Sequence, residues 1–436
     1  MNDKLNNKCM IKDKIGRLYL NKTFRNGSLF TLFSFLNQGV SFFIMLIMGR
    51  YVLPESYGKL SLFTTVIQLL SIFICLGTNG IITVNFFKYQ KKYIQQFVNV
   101  VLLSALSVYA VMLLLVLVLP TQLEKIVGID AQYQLYAISV CLFQIVSAVI
   151  LDIWRLEEEV TTYGIYSCSS TVSNLVLTFV FVACLHWDWQ GRVYANVLTC
   201  LVFFIIGLYF LIKKKYLVWV LPSKAQWKES LKFGIPLIPH SMSFWMRQGM
   251  DRYVINLFLN HAAVGLFSFA SNLGNIVQII GFSFNASNSV HIYQLLSTDA
   301  PDKVAKLNKE CRYLVMLYTL IAFAIFAGGA ILTPIIFPKY AGSVKYLLPL
   351  CIGGMLQCYY LVYVNILFFY KTTKLLMYIT FSSSLIHVGL SFWLTRYGVM
   401  YTSCVMVISN LLIFIGVYIY SRKVLHKFNF NVNKIE

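Results

Sequence analysis

Long apolar segments recur along the whole chain, and they constrain its fold more than any other feature of the sequence. Runs of 18 or more predominantly apolar residues follow one another, and each is long enough to cross the ~30 Å hydrocarbon core of a bilayer as an α-helix. Charged residues make up only 12% of the 436 residues, about half the ~25% found in ordinary globular proteins. The sequence therefore predicts an all-α polytopic membrane protein with about 12 transmembrane helices.

The apolar segments place these helices in two sets of six. The predicted spans are residues 27–49, 58–87, 95–119, 131–152, 160–184, 192–212, 231–259, 261–291, 311–337, 343–369, 373–395 and 398–420. No connection between them is long enough to hold a soluble catalytic domain. The predicted organisation is a basic N-terminal tail (1–26), a six-helix bundle (27–212), a linker (213–230), a second six-helix bundle (231–420) and a C-terminal tail (421–436).

The basic charge of the chain is explained by membrane topology. The formal net charge is +20, and 27 of the 36 Lys and Arg residues fall on the side of the membrane that holds both termini, against seven on the other side. This imbalance is the positive-inside rule, so both termini are predicted to be cytoplasmic. Residues 1–26 contain no apolar core typical of a signal peptide. We therefore expect no nucleic-acid partner and a multi-pass protein of a cytoplasmic membrane.

Motifs of soluble enzymes are not found in the sequence. It lacks a nucleotide-binding GxxxxGK[ST] loop, an HExxH zinc motif and a GxSxG nucleophile turn. The ten cysteines form no CxxC pair, so they are interpreted as small buried apolar residues and not as disulfides or metal ligands. We therefore expect neither an enzyme nor a metal or organic cofactor, and any energy coupling would come from H+ or Na+.

The seventh span carries three charges where hydrocarbon should exclude them. Arg247, Asp251 and Arg252 lie within one apolar stretch, and each charge at the centre of a spanning helix costs ~2.5–3.5 kcal/mol. On a continuous helix, Arg247 and Asp251 share a face with His240. Two explanations stay open: Arg247 and Asp251 neutralise each other at i, i+4, or the arginines face an anionic group such as phosphate.

Weakly polar stripes follow one face of spans one, two and eight. Such residues often only join neighbouring helices, but stripes that include Asn and Gln favour a face that lines water. Gly77–Gly80 predicts a loosening of span two, and His387 in span eleven is interpreted as a hydrogen-bonded packing residue. The stripes supply the candidate hydrogen-bonding residues Asn37, Gln38, Gln68, Asn272, Asn275 and Gln278.

The two halves of the chain show faint self-similarity. A shift of 207 residues places Gly58 on Gly265 and Ser61 on Ser268. Together with the six-plus-six spacing, this favours two parallel repeats that face each other, a common transporter plan with the substrate site between the repeats.

Two motifs resemble those of the polysaccharide biosynthesis proteins, the O-antigen and capsule flippases. Arg50–Gly58 (RYVLPESYG) is similar to the turn after the first span of that family, and Phe233–His240 (FGIPLIPH), with Trp245 and Asp251–Arg252 after it, is similar to its seventh-span signature. The resemblance implies the multidrug/oligosaccharidyl-lipid/polysaccharide exporter fold. In that fold two six-helix bundles enclose a central cavity, lined chiefly by spans one, two, seven and eight.

The resemblance implies an undecaprenyl-pyrophosphate-linked oligosaccharide as the substrate, flipped from the inner to the outer leaflet of a bacterial cytoplasmic membrane. The lipid bilayer is then a partner, and a glycan polymerase and a chain-length regulator are candidate protein partners. The expected substrate-binding residues are the two arginines and the six Asn and Gln residues above, and the ion-coupling candidates are Asp251 and His240. The alternatives are an ion-coupled small-molecule antiporter of the same fold and a membrane glycan polymerase or glycosyltransferase.

Overall fold

The structure, a computed structural model, describes residues 22–297, 302–370 and 372–432, so most of the predicted N-terminal tail lies outside it. The helices are α1 Lys22–Tyr51, α2 Pro54–Ile74, α3 Gly80–Asn85, α4 Lys91–Val118, α5 Pro120–Val127, α6 Ala131–Leu156, α7 Val160–Thr178, α8 Asp188–Lys213, α9 Lys224–Gly234, α10 Leu237–Gln248, α11 Met250–Phe258, α12 His261–Ser297, α13 Lys303–Ile336, α14 Val344–Phe369, α15 Thr373–Leu394 and α16 Val399–Val432. A π-helical turn (Phe179–Cys184) extends α7, and 3₁₀ turns precede α14 and α16.

The described residues contain no strand, so the predicted all-α architecture is confirmed. Ten of the described helices or helix pairs are long and apolar enough to cross a membrane, and each of them overlaps one of the twelve predicted spans. The other two predictions fall on α1, whose described apolar part is Phe42–Tyr51, and on α10 and α11, which together replace the single predicted seventh span.

The chain divides into two compact units, and the first comprises the described residues up to Tyr51, Phe73–Leu113 and Ile138–Ile235. Its core is built by α4, α6, α7 and α8. Trp154 of α6 is fully buried and packs edge-on against Tyr166 of α7. The Tyr166 hydroxyl donates to the carbonyl oxygen of Phe203 in α8 at 2.6 Å, so these three helices are fastened together.

The second unit comprises Val52–Ile72, Leu114–Ala137 and the described residues from Pro236 onward. It therefore contains α10 to α16 together with most of α2, the end of α4, all of α5 and the beginning of α6. An apolar cluster at its centre joins α12, α13, α14 and α16 through residues such as Val277, Tyr318, Cys358, Val362 and Val417. The predicted boundaries at 27–212 and 231–420 stay a prediction.

The second span is interrupted where its glycines predicted a loosening. Helix α2 ends at Ile74, and α3 begins at Gly80 after a turn. In that turn Gly77 has φ +69°, a left-handed conformation that glycine adopts without a steric penalty. A Cβ on Gly77 would also lie 2.5 Å from the carbonyl oxygen of Gly234, so the interruption packs backbone to backbone on the end of α9.

Candidate functional site

The charged seventh span is not one continuous helix. Helix α10 ends at Gln248 and α11 starts at Met250, with Gly249 between them. A Cβ on Gly249 would lie 2.6 Å from Nε1 of Trp245, so a larger residue at this point would require the Trp245 ring to move. His240 and Arg247 both lie in α10, two turns apart, and Asp251 follows the interruption in α11. His240 is exposed, whereas the other two are buried, and their predicted common face stays a prediction.

Arg252 is enclosed by hydrogen-bond partners within the second unit. Its Nε lies 2.9 Å from Oγ of Ser61 in α2 and 3.2 Å from Oγ of Ser268 in α12. Its Nη1 donates to the carbonyl oxygen of Gln248 at 2.6 Å. The guanidinium therefore binds residues of α2, α12 and α10 and holds these helices in position. Substrate binding by Arg252 stays a prediction.

The Ser61–Ser268 pair sits at a close crossing of α2 and α12. The two hydroxyl oxygens lie 2.6 Å apart, and these are the residues that the shift of 207 aligns. One turn earlier in each helix, a Cβ on Gly58 would lie 2.8 Å from the carbonyl carbon of His261, and one on Gly265 would lie 2.7 Å from that of Pro54. Because equivalent residues of the two halves meet each other, the crossing has local pseudo-two-fold symmetry.

Arg247 has far fewer partners than Arg252. It is 7% exposed, and its Nη1 lies 3.3 Å from Oδ1 of Asn410 in α16. Its Nε is buried and has no hydrogen-bond partner among the described residues. No carboxylate of the described residues lies within ion-pair distance of it, so the i, i+4 pairing with Asp251 does not form. A buried guanidinium with an unpaired N–H group is costly in free energy unless a ligand or water accepts its hydrogen bond.

Asp251 pairs with α15 instead. Its Oδ1 lies 3.0 Å from Nε2 of His387 and accepts a hydrogen bond from the hydroxyl of Ser391 at 2.5 Å. The other ring nitrogen of His387, Nδ1, lies 2.9 Å from Oγ of Ser409 in α16. His387 and Ser391 have no exposed surface, and Asp251 is 2% exposed. The hydrogen bonding predicted for His387 is confirmed, and one of its partners is the buried acid; a packing role alone stays a prediction.

This arrangement can hold one proton more or less with little movement. Ser409 Oγ also lies 2.8 Å from the carbonyl oxygen of Val405 and donates to it. With that donation in place, Nδ1 of His387 donates to Ser409, and the hydrogen bond between Nε2 and Oδ1 of Asp251 carries its proton on one of these two atoms. If the Ser409 hydroxyl turns toward Nδ1, a neutral His387 is satisfied as well. The geometry therefore suits a site that exchanges a proton.

The predicted hydrogen-bonding residues are distributed over both units. In the second unit, Asn272 donates to the hydroxyl of Tyr57 at 2.7 Å, and Gln278 contacts Asn275 and Gln248. Gln68 is exposed. In the first unit, Asn37 donates to Oγ of Ser167 at 3.1 Å. The side chain of Gln38 lies outside the described residues.

Sequence reasoning did not connect the charged span with α15 and α16. Asn410 and Ser409 lie in a helix with no other unusual feature, and Ser391 follows His387 by one turn. That His387–Ser391 spacing was the available signal, because a His and a Ser at i, i+4 present two hydrogen-bonding groups on one face of an apolar helix.

A sequence model described as polysaccharide biosynthesis protein matches residues 23–290, which include both motifs and the entire Arg252 network. The chain belongs to this family. Protein 1 of the Lsg locus of Haemophilus influenzae is 24% identical over 412 residues, which cover 92% of this chain and 99% of the relative. An uncharacterized membrane protein of the same organism is 22% identical over 374 residues, 84% of this chain and 88% of the relative.

Solved transporters share the fold. An inward-facing multidrug resistance MATE family transporter of the MOP superfamily aligns with a TM-score of 0.71 at 16% identity, over 89% of this chain and 95% of that one. The lipid II flippase MurJ in an inward closed conformation aligns with a TM-score of 0.70 at 14% identity, over 90% of this chain and 87% of that one. The predicted fold class, a polytopic all-α protein with two helical lobes, is confirmed by these similarities.

Proposed function

We propose that this protein is a flippase that moves an undecaprenyl-pyrophosphate-linked oligosaccharide, such as an O-antigen or capsule repeat unit, from the inner to the outer leaflet of a bacterial cytoplasmic membrane by alternating access. The family match and the fold shared with a lipid II flippase support a carrier of lipid-linked sugars. The observation that carries the proposal is Arg247, a buried and incompletely paired cation within a membrane-spanning unit.

An anionic headgroup would complete the hydrogen bonding of Arg247. A guanidinium presents five N–H groups in a fixed fork that matches phosphate oxygens. Arg252 differs, because its Nε and Nη1 already bind Ser61, Ser268 and Gln248. We therefore assign the pyrophosphate to Arg247 and a positioning role to Arg252. The Asn and Gln side chains of the stripes, among them Asn275 and Gln278, offer hydrogen bonds to glycan hydroxyls.

The coupling ion is proposed to bind at Asp251. The Asp251 carboxylate contacts an imidazole and a hydroxyl. These partners suit the binding of a proton, whereas a hard metal cation prefers several oxygen ligands. His387 replaces His240 as the residue that shares this site in our proposal, because His240 has no hydrogen bond to Asp251 and is exposed. Proton binding would change the hydrogen bonds that join Asp251 of α11 to α15 and His387 to α16. It would in this way link an ion gradient to helix movement.

The small-molecule antiporter is the second candidate, since a multidrug transporter has the same fold. A cationic drug requires an unpaired acid in the cavity. Asp251, the acid of this span, already binds His387 and Ser391, whereas Arg247 is incompletely paired. This pairing favours an anionic substrate.

The test replaces Arg247 with Gln in cells that need this protein for surface glycan, with Arg312→Gln as the matched control because Arg312 is exposed. We expect Arg247→Gln to lose surface glycan and to trap the lipid-linked oligosaccharide at the inner face, at an unchanged amount of protein in the membrane. Arg312→Gln should be normal. Normal glycan in the Arg247 variant would refute the assignment.

The same cells separate the rival functions. Deletion of a glycan polymerase would leave finished repeat units at the outer face, and deletion of an antiporter would lower drug resistance without loss of glycan. For the coupling site, Asp251→Asn should remove the dependence of flipping on the proton gradient in proteoliposomes, while His240→Asn should keep it. A dependence that survives in Asp251→Asn would refute proton coupling there.

A further inference from the structure

The connection between α8 and α9 is fastened to the first unit. Nζ of Lys214 lies 2.5 Å from Oε2 of Glu157 and 2.5 Å from Oε1 of Glu159, and the hydroxyl of Tyr216 donates to Glu157 at 2.7 Å. Burial alone would lower the pKa of Lys214, but the hydrogen bonds of the two carboxylates outweigh it and raise that pKa. The lysine therefore stays charged at neutral pH, and the beginning of the connection is fixed.

The middle of the connection is held by α4. Nδ2 of Asn99 donates to the carbonyl oxygen of Val218 at 2.8 Å and to that of Val220 at 2.7 Å. Nε2 of Gln95 donates to the carbonyl oxygen of Lys215 at 2.7 Å. The two carbonyls that Asn99 binds are those on either side of Trp219. The backbone around this tryptophan is therefore fixed in position.

The side chain presented in this way is strongly apolar, and none of the residues that the structure describes covers it. Trp219 is fully exposed and Leu221 is 86% exposed. Water around such a fixed apolar tip is unfavourable, and large exposed apolar groups mark sites of interaction. The tip comes six residues after the end of α8, a helix long and apolar enough to span a membrane, so we expect it at the level of the membrane surface.

Helix α9, which follows the tip, has a basic exposed face. It starts at a capping box formed by Ser223 and Gln226. Lys224, Lys228 and Lys232 follow at i, i+4 and i+8, and all three are exposed. The only acid of the helix, Glu229, accepts a hydrogen bond from Asn85 at 2.8 Å. The surface beside the apolar tip is therefore positively charged.

We propose that residues 217–232 form a binding surface for anionic phospholipids. Trp219 and Leu221 insert at the boundary between headgroups and acyl chains, where tryptophan is enriched in membrane proteins, and the three lysines of α9 bind anionic headgroups. The combination of an apolar tip, a basic helix face and a position directly after a spanning helix selects a charged lipid leaflet as the partner. This surface is independent of the proposed function, because it involves none of the residues of the Arg247 or Asp251 sites.

The apolar part is tested by tryptophan fluorescence of the full chain in vesicles of phosphatidylcholine and phosphatidylglycerol. The emission of Trp219 is obtained as the difference between the wild type and Trp219→Phe, and Trp393→Phe, which removes another exposed tryptophan, controls the subtraction. We expect acyl-brominated lipids to quench the Trp219 emission and aqueous iodide to leave it unchanged. Quenching by iodide and not by brominated lipid would place the tip in water and overturn the proposal.

The charged part uses the same signal with one brominated lipid diluted into unlabelled phosphatidylcholine. Each lysine near an anionic surface favours association by about fivefold. We therefore expect brominated phosphatidylglycerol to associate with the tip at least about fivefold better than brominated phosphatidylcholine. The preference should disappear in Lys224→Gln/Lys228→Gln/Lys232→Gln and persist in Lys339→Gln/Lys345→Gln. Equal quenching by both lipids in the wild type would refute the anionic selectivity.

The hydrogen bonds of Asn99 provide a further check on the fixed tip. Asn99→Ala removes both bonds to the backbone beside Trp219 without touching the apolar tip or the lysines. We expect the Trp219 emission to become accessible to iodide, because the apex is no longer held at the lipid boundary. An Asn99→Ala variant with the wild-type quenching pattern would show that the tip inserts without this attachment, and it would contradict the fixed-tip argument.

Discussion

Gly58→Ala and Gly265→Ala are expected to destabilise the protein because they separate α2 from α12. A Cβ at either position would come within 3 Å of backbone atoms of the other helix, closer than real Cβ contacts. The helices must move apart by roughly 1 Å before the methyl group fits. Such a shift stretches the 2.6 Å Ser61–Ser268 contact to about 3.6 Å, beyond hydrogen-bonding distance.

The expected loss combines two effects. Overpacking of a tight contact costs ~1–3 kcal/mol, and a lost hydrogen bond costs ~1 kcal/mol, more where the charged Arg252 loses its serine partners. We therefore expect each variant to lose about 2–4 kcal/mol of the free energy of unfolding. Gly389→Ala and Gly328→Ala are the controls, since a Cβ there meets no atom within 4 Å and should gain up to ~1 kcal/mol of helix propensity.

The assay is thermal unfolding of the purified protein in detergent, followed by its helical circular dichroism. The two crossing variants should melt below the wild type, and the two controls at or above it. Crossing variants that melt like the controls would refute the close approach of α2 and α12 and, with it, the geometry on which the role of Arg252 depends.

Two further predictions follow from the same structure. Ser61→Cys/Ser268→Cys should form a disulfide on oxidation, because the hydroxyl oxygens lie 2.6 Å apart. We expect the cross-linked protein to stop flipping and the reduced protein to resume it. Unimpaired flipping of the cross-linked protein would show that this crossing need not open. Lys214→Met should cost ~1.5–3 kcal/mol of unfolding free energy, since charged hydrogen bonds to Glu157 and Glu159 are lost, whereas the exposed Lys213→Met should be neutral. Because the pKa of Lys214 is raised, its contribution to the free energy of unfolding is complete below the ordinary lysine pKa of ~10.4 and declines only at higher pH. A difference in stability between Lys214→Met and the wild type that varies with pH near neutrality would contradict this assignment.

The sequence was most informative where a single physical requirement dominates. Spanning helices must be long and apolar, so ten of the twelve predicted spans coincide with apolar helices of the described residues. Gly77 indicated the interruption of span two because glycine adopts its left-handed backbone conformation without strain. The interruption of the seventh span at Gly249 could not be derived, because a single glycine inside an apolar helical segment usually does not end the helix. His387 could be predicted to form a hydrogen bond, but its partner Asp251 is 136 residues away.

The internal repeat explains why the two arginines differ. Residues on a two-fold axis meet their own counterparts, and Ser61 and Ser268, which the shift of 207 aligns, do so in the structure. The same shift aligns Arg247, Asp251 and Arg252 with Val40, Ile44 and Met45, so the charges belong to one repeat only. The guanidinium of Arg252 therefore binds the symmetric serine pair from one side only. Arg247 and Asp251 instead contact residues of α16 and α15. We infer that the repeat supplies the joint between α2 and α12, and that the charges of the seventh span were added in the second half.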